Sequence, residues 1–192
     1  MPEFDESKVK SFTDSEEFST WLESNHDQET ELWMMIYKKG SGYQSIDWGQ
    51  AVIEALCWGW IDGVKKSFNS EAYLQRFTPR KRGSSWSKRN CEHVERLLSE
   101  GRMKKAGLIH VHEAKADGRW NAAYSPQSEM EMPADFLDAL EANLKAKDYF
   151  ESLSKTKKYI IFLSLQTAKK SETRVRRLSK YLLMLQNNEP IK

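Results

Sequence analysis

Between Arg76 and Asn90 six cations, Arg76, Arg80, Lys81, Arg82, Lys88 and Arg89, surround Gly83, Trp86 and the serines Ser84, Ser85 and Ser87. If Ala72 to Thr78 is a strand, Arg76, Thr78 and Arg80 line one face, and Gly83-Ser84-Ser85 lets the backbone turn into a helix capped by Ser87. Free amides at such a helix start, its dipole and nearby guanidinium groups suit a phosphate or a carboxylate. Arg76, Arg80, Arg82, Ser85, Ser87, Lys88 and Asn90 are therefore the candidate anion-binding residues, the serines and the asparagine adding neutral hydrogen bonds. The same stretch also reads as scaffold alone: Ser87 caps the helix, Trp86 packs as a hydrophobic staple, and the cations stay in water.

A second group lies at Trp58, Trp60 and Asp62, which share a face of the next predicted strand. Aromatic rings beside a carboxylate can stack a flat ligand and hydrogen-bond its edge. Trp86, Arg119 and Trp120 are placed with them as a candidate aromatic pocket. The alternative is sheet core, with Asp62 fixing a turn. An enzyme acting on a small anionic substrate would use Asp62 as acid or base and Arg76 or Arg80 as the clamp. No metal or cofactor is expected. His110 and His112 are two apart, which on a helix turns them to different sides, and phosphate loops, G-x-S-x-G elbows and H-E-x-x-H motifs do not occur. Cys57 and Cys91 sit in apolar helical patterns and read as reduced core residues.

The elements that must hold these residues follow from periodicity and turn chemistry. Thr13 or Asp14 can cap a first helix with Phe18, Trp21 and Leu22 on one stripe. Glu31 to Lys39 reads as a strand apolar on both faces. Asp47 caps a helix through Cys57. Trp58 to Ser67 and Ala72 to Thr78, joined at Asn69-Ser70, read as an antiparallel hairpin that Pro79 ends. Helices are predicted from Lys88 to about Glu100 and from Met103 to Ala116, the second weakened by Gly107. Ser125 to Pro133 reads as a linker, and four helices follow, the last with Val175, Leu178, Leu182 and Leu185 as its apolar stripe and Arg174, Arg177 and Lys180 on its wet side. The fold class is α+β, a small antiparallel sheet packed with helices and followed by an all-helical C-terminal segment. The domain reading is 1–124 for the α+β part, 125–133 for the linker and 134–192 for the helical part.

Net charge is only +2 over 192 residues, so distribution carries any electrostatic argument. Ten acids face Lys8 and Lys10 between Met1 and Glu31, whereas the stretches after Arg76 and after Ser154 are strongly basic. The longest apolar run, Leu32 to Tyr37, is far shorter than the about 20 residues of a membrane span, and the N-terminus lacks an export signal. Membrane insertion is not expected, and the cytoplasm is the expected location.

Four stretches, in order, resemble the YdeI/OmpD-associated (bacteriocin-protection) family. They are Ala55-Leu56-Cys57-Trp58-Gly59-Trp60-Ile61-Asp62-Gly63; Arg76-Phe77-Thr78-Pro79-Arg80 with Ser85-Trp86-Ser87-Lys88-Arg89-Asn90; Glu100-Gly101-Arg102-Met103 through Ala116-Asp117-Gly118-Arg119-Trp120; and Ala168-Lys169-Lys170-Ser171-Glu172-Thr173-Arg174. The resemblance implies a relation to the YjbR/CyaY-like group, an antiparallel sheet backed by helices, and a role in bacteriocin protection or a porin association. It brings no catalytic residues. The sequence thus favours a cytoplasmic, non-catalytic binding protein for an anionic partner, nucleic acid or a small anion, over two rivals: the enzyme above, and a bacteriocin-protection or stress protein acting through a protein partner.

Overall fold

A computed structural model describes residues 4–191. The chain forms two compact units: residues up to Ser84 together with Asn90–Ala122, and Ser85–Arg89 together with the chain from Ala123 onward. The fold is α+β, with the C-terminal block all helical.

In the first unit, four strands lie in the order β1-β2-β4-β3: β1 (Val9–Lys10), β2 (Leu32–Tyr37), β3 (Trp60–Ser67) and β4 (Ala72–Pro79). The β3/β4 hairpin and the β2/β4 pairing are antiparallel. The sheet is nevertheless mixed, because β1 runs parallel to β2 with Val9 opposite Trp33. Two residues give no periodicity to read, so this strand leaves no signal in the sequence. β3 starts at Trp60 rather than Trp58 because Gly59 adopts φ 75°, a left-handed conformation that ends helix α2 (Trp48–Cys57) and redirects the chain. Opposite Arg76, β3 bulges at Gly63 and Val64, and the buried Gln75 amide donates to the freed carbonyl of Gly63 at 2.9 Å.

One sheet face carries Leu32, Met34, Ile36, Phe77, Trp60 and Asp62, as the cross-strand register requires. Helix α1 (Ser15–Asn25), capped by Asp14, covers it through Phe18 against Phe77 and Trp21 edge-on to Trp60. Asp47 and Gln50 close a capping box on α2, which buries Ala51, Val52, Ala55 and Leu56. α4 (Lys105–Ala116) then meets the end of α2 backbone to backbone: a side chain at Gly107 would strike the carbonyls of Cys57 and Leu56, and one at Gly59 would come within 2.9 Å of the Ala106 carbonyl and the His110 ring. Gly107 weakens the helix as a sequence and makes this docking possible. α3 (Lys88–Ser99) has a buried stripe of Cys91, Val94 and Leu97.

The second unit holds α5 (Ala134–Glu141), α6 (Leu144–Ser152), α7 (Lys155–Gln166) and α8 (Ser171–Gln186). Phe136, Leu140, Ala146, Phe150, Leu153, Ile161, Leu165, Leu185 and Ile191 form its own core. α8 keeps most of its predicted apolar stripe, with Leu185 buried and Leu178 and Leu182 packed against the core, and departs from it at Val175, Arg174 and Arg177. Val175 is 63% exposed, whereas Arg174 pairs with Asp135 of α5 at 2.7 Å and Arg177 donates to the Ser164 carbonyl in the last turn of α7. Long aliphatic stems let both arginines lie along apolar surface while their heads satisfy a carboxylate and an orphan helix-end carbonyl. Arg176 and Lys180 remain in water. Among the described residues no helix is long and apolar enough to cross a membrane.

Candidate functional site

The structure separates several of the predicted anion-binding residues. Arg76 lies opposite Trp33, on the sheet face away from Asp62, and both its Nε and Nη2 reach Glu31 Oε2, at 2.7 and 2.6 Å. Arg82 extends into solvent, 89% exposed, with Glu113 at 3.5 Å. Arg80 is 4% exposed; its amide donates to the Gly59 carbonyl at 2.8 Å and its Nη1 donates to Ser84 Oγ at 3.1 Å. Asn90 stands half-buried on α3 in the first unit, while Ser85, Ser87 and Lys88 belong to the second. There Ser87 bridges Tyr124 and the Lys88 amide donates to the Tyr124 carbonyl at 2.9 Å.

Of the predicted aromatic residues, Trp58, Trp60 and Trp86 are buried and Trp120 is half-buried. Trp60 is 1% exposed and donates its indole N–H to the His26 carbonyl. Trp58 donates to Ser19 Oγ and its ring lies 4.8 Å from that of His26. Trp86 is buried in the second unit, where its carbonyl accepts from the Tyr124 amide. Trp120 is half-buried under Lys115.

What the first unit does assemble is a polar cluster centred on Arg80. The Asp62 carboxyl accepts from the Trp48 indole at 3.1 Å; burial raises its pKa, opposed by that hydrogen bond and by the Arg80 charge. Arg119 binds both oxygens of Asp117 through Nε and donates Nη1 to the Ser84 carbonyl at 2.8 Å, so Arg80 and Arg119 meet at Ser84. His110 sits beside them: burial lowers its pKa first, then Arg80, against a smaller opposing effect of Glu113, with Arg119 lowering it further. A histidine tuned by arginines 9 and 30 residues away along the chain leaves no local motif, so His110 carries no signal in the sequence beyond its spacing from His112. Among the described residues no group of three or more His, Cys, Asp or Glu is placed to hold a metal ion.

A second candidate lies wholly within the helical unit. The segment read as a linker forms one wall of a cleft of about 620 Å³, with Ser125, Ser128, Glu129, Met130 and Glu131 facing Phe162 and Gln166 of α7, and Lys88 at its rim. Tyr159 fixes that wall by donating to the Ser125 carbonyl at 3.0 Å, and its ring stacks on Phe162.

A family model described as a domain of unknown function (DUF8412) matches residues 10–110, more than half of the chain. The chain belongs to that family. Residues 129–188 match a second model, described as Bacteriocin-protection, YdeI or OmpD-Associated. The segment from Glu129 to the end of α8 is thus similar to that family, and the late run from Ala168 to Arg174 lies inside it. The three earlier stretches fall outside it, chiefly within the DUF8412 match. Neither match reaches the YjbR/CyaY-like group. No curated protein and no solved structure matches the chain.

Proposed function

We propose that this protein is a cytoplasmic binding protein of the bacteriocin-protection or stress type, acting through a protein partner that its helical unit engages. The observation that carries the reading is the coincidence of the 129–188 match with a four-helix unit that has its own core and its own cleft. An anionic partner draws support from Arg80 and Arg119 meeting at Ser84. Against it, Arg76 and Arg82 each face a carboxylate of their own, and Arg80 is held inside the fold. The enzyme reading loses Arg76 as a clamp, since Arg76 and Asp62 lie on opposite faces of the sheet, and keeps only Arg80, whose charge acts on Asp62 from inside the fold.

Killing curves test the proposal. Bacteria expressing the full chain and challenged with a panel of bacteriocins should survive a several-fold higher dose of at least one of them than cells carrying an empty vector. Identical curves for every member of the panel, with the protein present and folded, would remove the reading.

A further inference from the structure

The cleft beside Phe162 has a chemistry that narrows the partner. Its wall runs from Ser125 to Glu131 and presents two carboxylates, Glu129 and Glu131, both on exposed residues. Its floor is an aromatic ring, Phe162, 4% exposed and stacked on Tyr159 at 5.7 Å between centroids. Ser125, Ser128 and Gln166 add neutral hydrogen-bonding groups, and Lys88 is the one cation among the lining residues. Along the sequence from Lys155 to Lys180 nine lysines and arginines face Glu172 alone, with Arg174 taken up by Asp135 in the fold, whereas the cleft itself sets Glu129 and Glu131 against Lys88. A polyanion drawn to those helices would meet repulsion in the cleft. A cationic side chain would instead find carboxylates for its charge and ring surface for its stem.

We infer that this cleft binds a basic segment of a partner polypeptide, placing a lysine or arginine between Glu129, Glu131 and the ring of Phe162. The inference rests on the protein-partner reading and adds the chemistry of the contact. Two exposed carboxylates give a modest, salt-sensitive attraction, and a half-open cleft suits a short stretch of chain rather than a broad flat interface.

Fluorescence anisotropy of the full chain with a labelled Lys-Gly repeat peptide tests it, using a Glu-Gly repeat of equal length as the control. The Lys-Gly peptide should bind at low salt and weaken as salt rises; the Glu-Gly peptide should not bind. Glu129→Gln with Glu131→Gln should weaken binding about fivefold, and the double change to lysine should abolish it, whereas Glu172→Gln should leave it unchanged. Circular dichroism of each variant separates loss of binding from loss of fold. Equal affinity across the variants, or no binding of the Lys-Gly peptide, overturns the inference. Killing curves on the lysine double variant separate the two claims: retained protection with no peptide binding removes the cleft and leaves the protection reading standing, while absent protection in the parent chain removes that reading itself.

Discussion

At the scale of single residues, Gly107 and His110 link packing to titration on one helix. Gly107→Ala would push a methyl group into the carbonyls of Leu56 and Cys57, and neither α2 nor α4 can yield without losing its own packing. The variant should lose about 1–3 kcal/mol in urea unfolding despite the better helix propensity of alanine, and an unchanged midpoint would mean that the two helices do not meet this closely. His110 acts through pH. Burial and the two arginines hold its folded pKa below the unfolded value, so its contribution to stability is present above the unfolded value near 6.5 and is lost as pH falls through the lower folded value. Urea midpoints measured from neutral to mildly acidic pH should therefore fall less steeply for His110→Gln than for the parent chain. Parallel curves for the two proteins would refute that role.

At the scale of elements, helix ends are closed by side chains that the sequence hides as surface charge. Arg177 donates to the Ser164 carbonyl, one of the last-turn acceptors of α7, and places a positive charge at that helix's negative end. Arg177→Met should lower stability by about 1 kcal/mol, while Arg176→Met, one position away on the wet side, should stay within about 0.5 kcal/mol; equal effects would show that the contact contributes nothing. The elements themselves were largely legible, because apolar spacing of 3.6 or 2 residues and the caps Asp14 and Asp47 are local signals. The partners of the charges were not. Glu31 is 45 residues from Arg76, and Glu54, which pairs with Arg102, is 48 residues away. Charge runs in a sequence therefore overstated the free positive surface. They could not show that Arg80 is interior, nor that the Ser125-to-Pro133 stretch, read as a linker from its turn residues, builds a wall against Phe162.

At the scale of the whole molecule, the near-zero net charge conceals a division of labour between two units. The first is held by a mixed sheet, two helices on one of its faces and the glycine-mediated docking of α4; its polar cluster ties Ser84 to Arg80 and Arg119, where the chain leaves the unit. The second gathers Ser85–Arg89 with the four helices and carries both the cleft and the similarity to the bacteriocin-protection family. Glu129 and Glu131 in the cleft and the lysine- and arginine-rich stretch after Ser154 make opposite demands of nucleic acid and of a basic polypeptide. The most direct test is a salt titration comparing the two ligands on the intact chain by anisotropy, with a labelled single-stranded oligonucleotide set against the Lys-Gly peptide. The account predicts saturable peptide binding that depends on Glu129 and Glu131 and little oligonucleotide signal even at low salt. A steep linear fall of log affinity with log salt for the oligonucleotide, with no peptide bound, would contradict it and return the basic helices to a nucleic-acid role.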